Sequence, residues 1–303
     1  MFKLLKSKIN EYSKKYQIDL PYVIRNEFWV YLRLGITTVT GLATSVVFAR
    51  LATREVFGQY NYLIAILSII ALTSIPGLKG SVLRSTARGN DGNYQQATKT
   101  RFLWSFIGIP ALLGIGVYYY YYNIQIIGIC LMISGIFFPF LYAPNSWESF
   151  FAGKKKFNLT ALFGSVQSTI SAAAIIIILF ISANHLVLIF STYLVTNAFL
   201  LLMLYRKSLK YTENSKIDGE CIRYGYFLTT NNIAGTIAQH VDKILIGTLL
   251  GAPQLAIYTI ATAIPVKTRD LLRTAWYPFR PKISEQGTNI KEITTKVRRL
   301  VCL

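Results

Sequence analysis

The sequence predicts an all-α, polytopic membrane bundle of about eight transmembrane helices. Three observations lead there. Apolar residues make up 53% of the chain and charged residues only 15%, where soluble domains carry about 25% charged residues. The apolar residues gather into stretches of roughly twenty, the length that crosses a hydrocarbon core about 30 Å thick. A short pattern also occurs twice. Thr53-Arg54-Glu55-Val56-Phe57-Gly58-Gln59-Tyr60 returns, loosened, as Gly251-Ala252-Pro253-Gln254-Leu255-Ala256-Ile257-Tyr258, 198 positions later.

Spans are expected near 28–49, 60–78, 102–122, 124–143, 161–182, 185–204, 224–249 and 254–277. None shows period-2 alternation, so they read as helices rather than barrel strands. The repeated pattern follows the first span and then the seventh. That even offset suits a parallel repeat of six-helix lobes with the second lobe incomplete, short of about four spans. Two like-oriented lobes holding a substrate between them are the usual construction of secondary transporters. The expected organisation is a basic amphipathic N-terminus (1–27), a first lobe (28–205), a linker (206–223), a partial second lobe (224–279) and a basic tail (280–303).

A net charge of +19 could suggest nucleic acid. Its distribution argues otherwise. With the N-terminus cytoplasmic and the spans alternating, twenty-five of the thirty-two Lys and Arg residues fall on inner segments. Only Arg50, Arg54 and Lys243 fall outside, and four lie within spans. Positive charge retained on the cytoplasmic side accounts for this without a polyanionic partner, and the inner surface should attract anionic lipid. No cleavable signal peptide is visible. Phe2 to Ile9 reads as a helix lying on the inner membrane surface. Cys130, Cys221 and Cys302 form neither a disulfide framework nor a metal pair.

Charged and polar positions inside spans need a reason, because a central charge costs roughly 2.5–3.5 kcal/mol on insertion scales. Arg33, Thr37, Thr40, Gly41 and Thr44 share one face of the first span. They face either a hydrated cavity, with Arg33 open to a phosphate, or a neighbouring helix, with Arg33 snorkelling to the headgroups. In the seventh span Thr229, Asn232, Gly235, Thr236, Gln239 and Lys243 make a continuous polar face, which lines a cavity or a helix contact. His240 there reads as a packing residue. Lys267, Arg269, Asp270 and Arg273 occupy one arc of the eighth span. That arc is a cationic cavity mouth, or else the span ends near Pro265 and a surface helix follows. Lys154 to Lys156 read as an inner-loop anchor and Tyr118 to Tyr122 as an interfacial aromatic belt. No phosphate loop, HExxH or GxSxG stretch occurs, so no catalytic role, metal or cofactor is expected.

Several segments together resemble a family. Phe48 to Tyr60 looks like the first outer loop of polysaccharide flippases of the multidrug/oligosaccharidyl-lipid/polysaccharide (MOP) exporter superfamily. Gly77-Leu78 followed by Arg84 is similar to their inner end of the second helix. Ala152-Gly153 through Phe157 resembles the loop before the fifth. Val241 to Gly247 with Ile257-Tyr258 resembles the start of their second lobe. The resemblance implies movement of a polyprenyl-diphosphate oligosaccharide between leaflets by alternating access, in surface polysaccharide synthesis. It implies a cationic cavity with Arg33 and Arg84 foremost, because Arg suits phosphate oxygens. Lys243, Arg269 and Arg273 come next, and Asn232 and Gln239 follow from their polar face. Membrane lipid and other polysaccharide-assembly membrane proteins are the expected partners. Alternatives are a cation-coupled small-molecule exporter of the same superfamily, a membrane glycan polymerase, and an inactive truncated fragment.

Overall fold

The structure, a computed structural model, describes residues 20–122 and 124–274, with side chains from 25 to 122 and 124 to 271. The expected surface helix at Phe2 to Ile9, the basic tail 280–303 and Cys302 lie outside them. Every regular element among the described residues is helical. The helices are α1 (Leu20–Leu51), α2 (Arg54–Ile70), α3 (Leu78–Ala87), α4 (Gly92–Tyr121) and α5 (Gln125–Tyr142). They continue with α6 (Trp147–Gly153), α7 (Phe157–Ser182), α8 (Leu186–Leu209), α9 (Cys221–Leu249) and α10 (Ala252–Thr274).

Six stretches are long and apolar enough to cross a membrane. They are α1 from Arg25, α2 with its 3₁₀ extension to Ser74, α4, α5 through α6, α7 and α8. Their outward faces carry Leu103, Phe106, Ile136, Phe140, Ile177, Phe180 and Phe199, all well exposed. In water that surface would be costly; in lipid it is the expected exterior. The chain is therefore a multi-pass membrane protein. At 29 and 23 residues, α9 and α10 reach across a bilayer too, about 1.5 Å per residue. They are less apolar because of the Thr229 to Lys243 face and the Lys267 to Asp270 arc.

Several boundaries differ from those expected. Helix α2 starts six residues before position 60, since the Thr53 hydroxyl caps it by accepting from the Val56 amide at 3.3 Å. It then breaks at Ile75-Pro76-Gly77 before α3 begins. Ile75 has φ +51, uncommon for a β-branched residue. Helix α4 begins ten residues before position 102. Pro265 does not end α10, which runs through it; the expected alternative of a stop there is corrected.

Helix α7 packs along α1, α4 along α5, and α8 against α5 and α7. The core between them is aromatic: Trp147, Phe150, Phe151, Tyr94, Phe138 and Phe190 are almost fully buried, with Tyr94 stacked on Phe150 at 4.5 Å. Helix α9 rests on α2 and α3, and α10 on α2 and α1. Small residues allow these close crossings. Gly77 lies against the Gly225 carbonyl and Thr229, and Gly247 against the Tyr62 ring. The linker between α8 and α9 is held down by named bonds. The Asp218 and Glu213 amides donate to Asn93 Oδ1 (2.6 Å) and Asp91 Oδ2 (2.8 Å). Lys154 bridges Asp91 (2.7 Å) and Glu213 (2.9 Å), so it does more than anchor an inner loop.

Candidate functional site

Charge gathers where two helices break. The α2–α3 break at Ile75-Pro76-Gly77 and the α5–α6 break at Ala143 to Ser146 both bring an acceptor to Arg101 of α4, one a backbone carbonyl and the other a side-chain hydroxyl. That guanidinium, 1% exposed, donates from Nε to the Ser74 carbonyl (3.2 Å) and from Nη1 to Ser146 Oγ (2.8 Å). Among the described residues no carboxylate lies within ion-pairing distance of it, which leaves a buried positive field.

Two residues past Ser146, Glu148 meets Arg33 of α1 edge to edge. Arg33 Nη1 lies 2.6 Å from Oε1 and Nη2 donates to Oε2 at 2.9 Å. Both oxygens and one edge of the guanidinium fork are used, the bidentate geometry that favours Arg over Lys. Arg33 also lies 5.8 Å from the centre of the Trp147 ring. Its guanidinium fills a notch at Gly164 of α7, where a β-carbon would stand 2.7 Å from Cζ. The pair is part-exposed, 23% and 33%. It lines a cavity of about 200 Å³ with Val30, Leu34, Thr37 and Thr160.

Lys79, just past the second span, completes the cluster. Its ammonium is held down to about 8, chiefly by burial, with Arg101 adding to the effect, Glu148 opposing it and Arg33 contributing least. Lys79 thus feels two other cations and one acid. Lys79, Arg101 and Glu148 were not singled out in the sequence. Lys79 and Arg101 counted there only toward the inner charge excess, and a signal existed for Lys79 and Glu148, which closely follow Pro76-Gly77 and Pro144-Asn145.

The other candidates go elsewhere. Arg84 stands 4.5 Å over the Tyr224 ring of α9, at the contact between α3 and α9. The α9 face divides. Thr229 joins the helix contact, accepting from the Gly77 amide (3.0 Å) and donating to the Gly225 carbonyl (2.9 Å). Asn232 and Gln239 are exposed, and their amides donate to the Leu228 and Gly235 carbonyls at 2.7 and 3.1 Å. The hydroxyls of Thr37, Thr40 and Thr44 likewise donate to carbonyls of their own helix. Such back-bonding eases the demand that a polar stripe face water, so polarity alone does not mark a cavity here.

Lys243 follows Asp242, whose carboxylate accepts a short hydrogen bond from the Tyr258 hydroxyl. Arg269 is exposed beside Asp270, 3.8 Å away. The side chain of Arg273 lies outside the described ones. Lys267, by contrast, reaches α1, its ammonium 3.9 Å from where a Gly41 β-carbon would be. Among the described residues no cluster of acids, His and Cys could hold a metal ion.

Comparison with known proteins agrees with this architecture. A relative from Shigella flexneri named "Putative O-antigen transporter" is 23% identical over 292 residues, covering 89% of this chain and 68% of the relative. Two solved structures share the fold at 13% identity. One is an outward-facing multidrug resistance MATE family transporter of the MOP superfamily, with TM-score 0.67 over 91% of this chain and 67% of that one. The other, a MOP superfamily transporter from Pyrococcus furiosus, has TM-score 0.59 over 87% and 62%. The chain thus spans about two thirds of the length of these proteins. The family model for polysaccharide biosynthesis proteins matches residues 47–303. With most of its length matched and its helices laid out as in MOP transporters, the chain belongs to the polysaccharide biosynthesis protein family.

Proposed function

We propose that this protein carries a polyprenyl-diphosphate-linked oligosaccharide from the inner to the outer leaflet, with its N-terminus cytoplasmic. One observation carries the reading: Arg33 and Glu148 line a cavity opening between α1 and α7, and Lys79 lies within electrostatic reach of both and of Arg101. The excess of two positive charges equals the charge of a diphosphate diester. Charge-assisted hydrogen bonds from a preorganised guanidinium are the strongest recognition available for it. The family match and the relative named for O-antigen transport support the same substrate class. Arg84, Lys243, Arg269 and Arg273 serve the passage of the headgroup, and the exposed amides of Asn232 and Gln239 serve the sugars. The polyprenyl tail stays in the surrounding lipid, and other polysaccharide-assembly membrane proteins are the partners on either side.

The test is export in cells. Arg33→Ala and Arg84→Ala, made in the full-length protein, should each lower surface glycan and raise lipid-linked repeat units while protein level stays constant. Unchanged export in both removes the site assignment. Drug resistance conferred without any effect on glycan overturns the substrate class.

A further inference from the structure

We infer that Glu148 is a displaceable counter-ion: its carboxylate occupies Arg33 until a diphosphate takes its place, so that only an anion of at least two charges gains entry. This rests on the lipid-diphosphate reading above and deepens it.

Three observations lead to it. Glu148 uses both oxygens on the one guanidinium edge, the same edge and spacing that a phosphate group would need. An incoming phosphate must therefore compete with it. Arg33, however, does not depend on Glu148 for its position. The notch at Gly164 receives its guanidinium, and the Trp147 ring faces it from 5.8 Å. When the carboxylate leaves, the cation stays aimed at the cavity, which is what a preorganised site requires. Finally, the released carboxylate has somewhere to go: the Lys79 ammonium lies within its electrostatic reach and has no carboxylate of its own among the described residues.

The exchange has a consequence for selectivity. A monovalent anion at Arg33 only replaces one negative charge by another and gains nothing over Glu148. A diphosphate brings a second charge that the remaining cation excess can balance. Selectivity then comes from the penalty the protein itself sets on the wrong ligand.

Binding to the purified full-length protein in detergent tests this, with farnesyl diphosphate, the monoanionic diester methyl farnesyl phosphate and inorganic pyrophosphate as probes. Wild-type protein should bind the diphosphate and not the phosphodiester. Glu148→Gln should bind the diphosphate at least tenfold more tightly and should now bind the phosphodiester. Should Glu148→Gln fail to fold, Glu148→Asp, which keeps the charge but shortens its reach, should show the same trend at several-fold. Equal or weaker diphosphate binding in the folded variants overturns the counter-ion role and leaves the transport reading standing. No diphosphate binding by any folded form overturns both. Pyrophosphate binding as tight as the isoprenyl form, with the same gain on Glu148→Gln, supports the exchange but assigns the site to a soluble anion and overturns the lipid reading.

Discussion

Gly58 of α2 lies directly against Ala252 at the start of α10, so close that a β-carbon on Gly58 would overlap the Ala252 carbonyl. The two residues belong to the two copies of the short repeated pattern, Thr53 to Tyr60 and Gly251 to Tyr258, which touch each other in the fold. The first copy enters its helix through the Thr53 cap, the second through Gly251 at φ +93. Gly58→Val should push α10 off α2 at a cost of about 1–3 kcal/mol, as overpacking does. Ala256, 1% exposed at that contact, gives the readout. A thiol placed there by Ala256→Cys should resist maleimide in the parent and react once Gly58→Val is added. Continued protection would show that the contact relaxes around the new side chain.

Lys154 joins two acids of unequal burial, Asp91 at 1% and Glu213 at 70% side-chain exposure. Removing the lysine leaves the buried carboxylate without its cation, although the Glu213 amide still donates to it. Lys154→Met should therefore cost about 3 kcal/mol, the lower end for breaking a buried pair. Glu213→Gln should change the melting temperature little, because exposed pairs are worth little. Thermal unfolding in detergent ranks the two. Equal losses would mean that the linker, rather than Asp91, is what Lys154 holds.

Arg101 works through geometry as well as charge. Its Nε and Nη1 reach the Ser74 carbonyl and Ser146 Oγ, one at each helix break. Lysine offers a point charge with no planar fork. Arg101→Lys should lose one of the two bonds and destabilise the protein by about 1–3 kcal/mol, the cost of a buried polar group left unpaired. Arg33→Lys, at a part-exposed site, should destabilise it less. A melting temperature unchanged in Arg101→Lys would mean that the breaks hold without the bridge.

The long helices could be read from the chain because lipid demands about twenty apolar residues from each of them, and that demand is local. What could not be read are the features set by packing. The α2 break falls inside an apolar run, where Ile75 reads as one more hydrophobic residue. Only the tertiary position of Arg101 shows why its chain direction matters. Charge counting placed Lys79 and Arg101 among loop residues, though one is part-buried and the other sealed. Arg33 was legible as a charge within a span, facing a cavity or snorkelling to the headgroups, but its partner Glu148 stands 115 positions away, beyond any periodicity. The polar face of α9 left cavity and helix contact both open for a different reason. Its amides and hydroxyls have carbonyls of their own helix within reach, so they do not require the cavity that a buried unsatisfied group would.

Lys79 makes the cluster sensitive to pH. Its ammonium is held near 8 in the folded protein, against an ordinary lysine value of 10.5. Between those two values the folded protein has released this proton while the unfolded chain keeps it. The unfolded state then binds more protons, so stability rises with pH across the window. Below about pH 8 the full penalty of a desolvated charge is present. Replacing Lys79 by methionine removes both the penalty and its pH dependence. Lys79→Met should therefore melt higher than wild type at pH 7, by about 2–4 °C, and the gap should close as pH approaches 10. Subtracting the two profiles cancels the titration of the other basic residues. A gap that stays constant across this range would place the Lys79 ammonium in water, out of reach of Arg33, Arg101 and Glu148.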